Sequence, residues 1–368
     1  MHFDLSASLR CYGSVQEHEL KEERVRATGI EAGRGRAGMA DVAQLAGVSI
    51  GTVSNVLNHP GRVSAATLER VERAMAMLSY QPNVLARSLA AGSSRLLGLV
   101  LTDLTNSLFI DIARGAETAA EIGSMALMMT NSDGRLEREA RYIETFAQSR
   151  VAGVLLTLND EQHFAALAAR TPADTPLVVL NYEAPAAHFC SVSVDNELGG
   201  YLATHHLIAI GRRRIAFVGG PDALRPVQDR GRGYHRALRE VGLTPVVELM
   251  PDGVNRADGY EMGVRITELV GRGEVDAVFA ATDLLAAGIA QAAESRGVAI
   301  PADLAIVGYD NNHAAWDSPI PISTIAQPGE EMGRRGVEMI AAETQGGQHQ
   351  HEASILPPTL VVRRSTTG

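Results

Sequence analysis

The apolar positions of this chain follow two different rhythms. Over residues 41 to 58, DVAQLAGVSIGTVSNVLN, Val42, Ala43, Leu45 and Ala46 share one side of a short helix, and Val53, Val56 and Leu57 one side of another. Gly47 supplies the positive φ of a tight turn between them, and Ser49 is suited to cap the second helix, its hydroxyl accepting from free backbone N–H groups. The other side of that helix carries Ile50, Gly51, Ser54 and Asn55. A third helix is predicted from about Ser64, with Leu68, Val71, Ala74, Met75 and Leu78 as its buried stripe. Three short helices around one small core make a helix-turn-helix unit, whose second helix can enter a major groove. An ordinary helical hairpin is the competing reading of the pattern alone.

Beyond Arg95 the rhythm changes to short, continuous apolar runs separated by helical stretches: LLGLVL, MALMMT, VAGVLL, LVVLN, RIAFVGG, AVFAATD and LAIVGYD. That alternation predicts parallel sheets covered by helices on both faces, in a segment long enough for two lobes. Ligands of such open sheets sit beyond the carboxyl ends of the strands. The polar and aromatic residues ending the runs are therefore the binding candidates: Asp103 to Phe109, Asn131, Asn181 with Tyr182, Asp283 and Asp310.

Composition narrows the class. A chain of 368 residues suggests two or three domains, and 45% hydrophobic with 4% aromatic residues fits a soluble α/β protein. No run of about 18 apolar residues is present, so no membrane span is expected. The N-terminus lacks the pattern of a secretory signal. Cys11 and Cys190 are the only cysteines, which points to a reducing cytoplasm rather than a disulfide framework. The net charge of −10 is unevenly spread. Residues 39–96 carry Arg62, Arg70, Arg73, Arg87 and Arg95 against Asp41, Glu69 and Glu72, so a small basic head precedes a strongly acidic body. Such a division suits nucleic-acid contact by the head alone.

The stretch DVAQLAGVSIGTVSNVLN, followed by RVSAATLERVERAMAMLSYQPNVLARSLAAG, resembles the DNA-binding head of the LacI/GalR family of bacterial transcriptional regulators. Further family-like stretches are LVLTDLTNSLF, RVAGVLL, VDNELGGYLATHHLIAIGRRRIAFVGGP and AIVGYDNNHAAWDSPIPISTIAQP, and together they span roughly residues 39 to 366. The resemblance implies an all-α helix-turn-helix head joined by a hinge helix to a two-lobed α/β core with parallel sheets, similar to periplasmic sugar-binding proteins. It implies boundaries at 39–82 for the head and 83–94 for the hinge, then 95–210 with 325–346 for the N-lobe and 211–324 with 347–368 for the C-lobe. Residues 1–38 lie outside it and are read as a disordered or untranslated tail, dispensable for operator binding.

By the same resemblance the second helix is the recognition helix, with Ser49, Ile50, Gly51, Thr52, Ser54, Asn55 and Asn58 facing DNA. Many relatives carry Arg where this chain has Asn55, and Asn suits an adenine edge where Arg suits guanine. In the hinge, Asn83, Ala86 and Arg87 would lie against groove and phosphates, and Leu89 occupies the place of the leucine that wedges between base pairs. Asp310 and Arg230 match the effector-binding aspartate and arginine, a pair able to grip vicinal hydroxyls, and Phe109, Tyr182 or Trp316 could stack on a sugar ring. Relatives often have Asn before Asp283, where this chain has Thr282. Asp195 and Asn196 read as a helix cap.

The function expected is that of a homodimeric repressor on a pseudo-palindromic operator, controlled by a small-molecule effector. A sugar is the expected effector, and a nucleoside or purine the alternative. A sugar-binding protein or an enzyme on the same fold is the competing class, but no nucleophile, acid/base pair or export signal is visible. GRGRAG lacks the Lys and Ser/Thr of a phosphate loop, and no GxSxG is present. His205 and His206 point to different helix faces, and His349 and His351 sit in a Gly-rich loop with no Cys or carboxylate cluster nearby in sequence, so neither a metal nor a cofactor is expected.

Overall fold

The computed structural model describes residues 37–80, 95–172, 174–186, 188–345 and 349–367, which fall into one unit ending at Ser93 and another beginning at Ser94. The expected hinge contacts Asn83, Ala86, Arg87 and Leu89, most of the tail and the side chain of Asn58 lie outside the described residues.

In the first unit, α1 (Met39–Ala46), α2 (Ile50–Asn58) and α3 (Ala65–Met77) enclose a core of Val42, Ala43, Ala46, Val53, Val56, Val71 and Ala74. The predicted punctuation is present. Gly47 sits in the left-handed region at φ 64°, and Ser49 and Ser64 cap α2 and α3, each accepting from the N–H three residues on. A single 3-10 turn, Pro60–Arg62, joins the last two helices.

The second unit holds two six-stranded sheets. The first has β1 (Leu96–Leu101), β2 (Ala126–Asn131), β3 (Gly153–Thr157), β4 (Leu177–Leu180), β5 (Cys190–Val194) and β11 (Ala353–Leu356), all parallel, in the order β11-β5-β4-β3-β1-β2. The second has β6 (Ile215–Val218), β7 (Glu248–Leu249), β8 (Ala277–Ala280), β9 (Ala305–Asp310), β10 (Ser323–Ala326) and β12 (Thr359–Val361), in the order β12-β10-β9-β8-β6-β7 with only β12 antiparallel. Helices α4 (Ser107–Ile122), α5 (Leu136–Gln148), α6 (Glu161–Ala168) and α12 (Gly329–Thr344) belong with the first sheet. Helices α7 (Asn196–Ala209), α8 (Arg225–Glu240), α9 (Arg256–Gly271), α10 (Asp283–Ser295) and α11 (His313–Trp316) belong with the second.

Two expected lobe boundaries move. The first crossing precedes α7 instead of following it, because α7 buries Ala203, Leu207 and Ile208 in the core of the second lobe. The last crossing follows β11, because Ala353 to Leu356 pair in register with Ser191 to Val194 of the first sheet and Leu356 joins that lobe's core. The chain therefore passes between lobes after Asp195, after Ala326 and after Leu356.

Three helix pairs, α4 with α12, α7 with α8 and α9 with α10, approach backbone to backbone. At Gly200 of α7 a Cβ would lie 2.0 Å from the carbonyl oxygen of Arg230 in α8, and at Gly233 of α8 one would lie 2.0 Å from that of Glu197 in α7. Such reciprocal seats allow no side chain, and this pair fixes the helix that presents Arg230. Gly200→Ala must push the helices apart and is expected to cost about 1–3 kcal/mol. A change below about 0.5 kcal/mol in urea unfolding, the range of a neutral surface substitution, would contradict that packing.

Candidate functional site

Helix α2 presents a neutral face. Ile50, Gly51 and Asn55 are exposed and Thr52 and Ser54 half-buried, while Val53 and Val56 anchor the opposite side. Ile50 is 52% exposed, an unusual position for a β-branched apolar side chain on a well-anchored helix. The Ser49 hydroxyl accepts from the Thr52 N–H at 3.1 Å and lies 2.9 Å from the Thr52 hydroxyl, which fixes the first turn. No acidic group stands on α2 to repel phosphate, and Arg62 and Arg70 are exposed nearby in the chain.

In the core, the carboxyl ends of both sheets meet at the carboxylate of Asp310. Its Oδ2 accepts from Asn106 Nδ2 at 2.9 Å and its Oδ1 from Gln327 Nε2 at 2.7 Å, and Arg230 Nη2 lies 3.6 Å from Oδ1. Arg230 donates through Nε to Asn196 at 2.9 Å and through Nη1 to the Ala281 carbonyl at 2.6 Å, and its guanidinium lies 3.7 Å from the centre of the Tyr309 ring. All of these side chains are buried. Asp310 holds φ 109°, a left-handed conformation costly for a residue with a side chain, and its three donors keep it there. The Asn106 contact joins the lobes, reinforced by Asn312 donating to Asn106 at 3.2 Å and the His313 N–H to the Ser107 hydroxyl at 3.0 Å. A cavity of about 280 Å³ adjoins this network, lined from both lobes by Asn181, Tyr182, Ser193, Asn196, Arg225 and Asp229 among others.

The structure thus brings Asp310 and Arg230 together and adds Asn106, Asn196 and Gln327. Asn106 falls within the first predicted strand-end segment, and its one visible mark is that it caps α4, accepting from the Leu108 N–H at 3.0 Å. Asp195 caps α7 as expected, accepting from the Leu198 N–H at 2.8 Å, whereas Asn196 goes further and holds Arg230.

Other candidates are placed elsewhere. Phe109 is a core residue of the first lobe, so its ring is not free to stack on a ligand; it follows the buried stripe of α4. Tyr182 lays its ring against Phe164, centroids 5.3 Å apart, and is also among the residues that line the cavity. Trp316 is 59% exposed with Arg363 4.3 Å from its ring centre. Asp103 turns back on its own loop, accepting from the Thr105 N–H and hydroxyl, and Asn131 donates to Asp133. Asp283 is sealed beneath the site, accepting from the Asn312 N–H at 2.8 Å, so it positions the loop that follows Asp310.

Both parts of the chain resemble known proteins. Residues 38–83 match the bacterial regulatory proteins of the lacI family, and residues 204–366 match the periplasmic binding protein-like domain. The chain is 31% identical over 331 residues to the transcriptional regulator DegA of Bacillus subtilis, covering 89% of this chain and 97% of that one. It is 30% identical over 338 residues to the transcriptional repressor PurR of Photobacterium profundum, covering 89% and 98%. This chain belongs to the lacI family. The lac repressor dimer solved on its operator with the anti-inducer ONPF superposes with a TM-score of 0.79 at 28% identity, covering 91% of this chain and all of that one. A CelR–cellobiose complex gives 0.65 at 30% identity, covering 90% of this chain and all of that one. The protein is accordingly a DNA-binding transcriptional regulator, and its relatives are regulators rather than enzymes. Among the described residues no helix is long and apolar enough to cross a membrane.

Two buried carboxyls make the cleft sensitive to pH. Burial pushes Asp283 well above the usual carboxylate range, and neighbouring Asp310 pushes it further; the Thr324 hydroxyl, the Asn312 N–H and Arg363 offset this only in part. Asp310 is raised by burial and lowered by Arg230, Asn106 and Gln327. A carboxyl raised in the folded state binds its proton more tightly folded than unfolded, so its contribution to stability is full below about pH 4 and is lost as pH rises through the folded value. Asp283→Asn keeps the acceptor for Asn312 without the charge. Chemical denaturation across pH should find the variant more stable than the parent on the alkaline side, with the gap closing as pH falls. A parent that outlasts the variant at alkaline pH would refute the account.

Proposed function

We propose that the operator is read by Ile50, Gly51 and Asn55 of α2, with Ser49, Thr52, Ser54 and Asn58 as further contacts, and that the cleft around Asp310 and Arg230 takes a polyhydroxylated effector of the sugar class. The DNA reading is supported by the neutral, exposed face of α2. Asn55 there offers one donor and one acceptor, matching an adenine edge, and Ile50 offers apolar contact to a thymine methyl. The hinge contacts expected of Asn83, Ala86, Arg87 and Leu89 belong to the same proposal. A regulator of this kind works where the genome lies, in the bacterial cytoplasm.

The sugar reading rests on one observation: the cleft offers buried, directional polar groups around Asp310 and Arg230. Hydroxyl pairs can replace Asn106 or Gln327 on the Asp310 carboxylate and meet the Arg230 fork, and Asn181, Ser193, Asn196 and Asp229 line the adjoining cavity. The CelR structure of the same fold was solved with cellobiose, which fits a cleft of this kind. The dimer proposal has its own support at the sheet edge formed by β2, where Met128 and Met129, on opposite faces of the strand, and Ile122 at the end of α4 are exposed apolar side chains of the sort a second protomer covers.

Asn55→Ala is expected to weaken operator binding by about tenfold or more, a base contact being worth roughly 1–3 kcal/mol, while random duplex is bound almost as before. Equal losses on both DNAs in a fluorescence-anisotropy titration would remove Asn55 from base readout.

For the cleft, calorimetric titration with monosaccharides, disaccharides and purine bases should give a response to a sugar. Asp310→Asn keeps the side chain's size while removing the charge, and is expected to weaken that sugar by about 30-fold or more, corresponding to at least about 2 kcal/mol for a charged partner in a buried hydrogen bond. A purine bound in place of every sugar would overturn the ligand class, and an unchanged sugar affinity would overturn the assignment of Asp310.

A further inference from the structure

At the end of the N-lobe sheet remote from the cleft, Cys190 opens β5 and β11 runs beside it. The connection from α12 to β11 carries His349 and His351 back over the Cys190 side chain. Nε2 of His349 lies 3.2 Å and Nδ1 of His351 3.8 Å from Cys190 Sγ, the two rings meet edge to face at 5.0 Å, and all three donor atoms fall within 4.8 Å of one another. Cys190 is fully buried and the histidines partly so. From the last turn of α12, Glu343 brings Oε2 to 3.9 Å from His349 Nε2. That oxygen is buried and has no hydrogen-bond partner among the described residues.

Hydrogen bonding alone serves this cluster poorly. One thiol proton can bridge to one imidazole nitrogen at a time, and the buried Glu343 oxygen still lacks a donor, a costly state for a carboxylate. A tetrahedral cation with bonds of about 2.3 Å to sulfur and about 2.0–2.1 Å to nitrogen would hold S and N about 3.5 Å apart, a separation bracketed by the two observed. A thiolate and two imidazoles with one carboxylate are the donors of Zn²⁺ and its neighbours, and not of Mg²⁺ or Ca²⁺.

We propose that Cys190, His349 and His351 form a site for a zinc-class divalent metal ion, with Glu343 beside His349 able to turn in as a fourth ligand. Binding replaces the Cys190 thiol proton, released to solvent, by a metal–sulfur bond. It clips β5, the edge strand β11 and the end of α12 together at one point. The expectation that this chain carries no metal site is corrected on this reading. The two histidines have no Cys near them in sequence, yet the β5–β11 pairing brings one to them from 159 and 161 positions away.

The test uses the full, tag-free chain, reduced with a phosphine that does not ligate metal, and Co²⁺ as the probe. One equivalent per chain should produce a near-ultraviolet sulfur-to-cobalt charge-transfer band with the intense visible bands of a tetrahedral ion, and Zn²⁺ should displace it. Cys190→Ser, nearly isosteric, should abolish the charge-transfer band. His351→Gln, at a partly exposed position, should weaken Co²⁺ by tenfold or more and gives the same answer if the Cys190 variant fails to fold. Glu343→Gln should weaken it less, and His205→Gln not at all. Absence of the band in the parent, its persistence in Cys190→Ser, or unaltered Co²⁺ affinity in His351→Gln would each overturn the proposal.

Discussion

The constraint on which the core depends is the buried carboxylate of Asp310. It sits on a left-handed backbone, out of water, and is shared by an arginine of its own lobe, a glutamine at the edge of the second crossing and an asparagine of the other lobe. A buried charge is tolerable only while its partners stay in place, and loss of one leaves the others facing an uncompensated group. The network therefore behaves as a unit, and its geometry fixes how near Asn106 and Asn312 the two lobes come. A ligand that takes over one of these hydrogen bonds works on lobe closure directly, because the groups that bind it are the groups that close the cleft. Its power to shift the lobes equals the difference between its affinities for the two arrangements, and no more.

That leverage would be lost in a soft scaffold. The paired helices, seated backbone against backbone, leave no side-chain layer to yield between them, which favours each lobe behaving as a block. Three crossings, after Asp195, Ala326 and Leu356, join the lobes. Two of them adjoin the network itself, since Asn196 holds Arg230 and Gln327 holds Asp310. Signal and hinge thus share residues, which is economical in distance and exposes the hinge to every substitution made in the site.

Much of this was legible in the sequence where local chemistry leaves little choice. Gly47 and Ser49 mark the turn and the cap of the head, and parallel strands buried on both faces write themselves as continuous apolar runs. What stayed hidden was set by tertiary pairing. Strands β5 and β11, CSVSV and ASIL, carry serines in the sheet and do not read as apolar runs. The lobe to which α7 belongs depends on which core takes Ala203 and Leu207, a choice not visible in the helix. Phe109 looked like a ligand contact because it follows a strand end, yet helical periodicity places it among the residues that α4 buries. Asn106 stood only as one member of the candidate stretch from Asp103 to Phe109, since its partners lie 204 and 206 positions away.

The two ends of the N-lobe sheet have different chemistry, and the direction of β1 links them. The chain enters that sheet at Leu96, on the end where Cys190 begins β5, and leaves it toward Asn106 and the cleft. Apart from Leu96 the residues of β1 are buried, and the strand pairs on both sides, with β2 and β3. It cannot bend appreciably without breaking a ladder. Strand β1 is therefore the direct backbone link within this unit between the Asn106 side of the cleft and Arg95. A stiff paired strand is the kind of element through which two ends of a lobe can be coupled, and ligation at Cys190 would tie down the far edge of the same sheet.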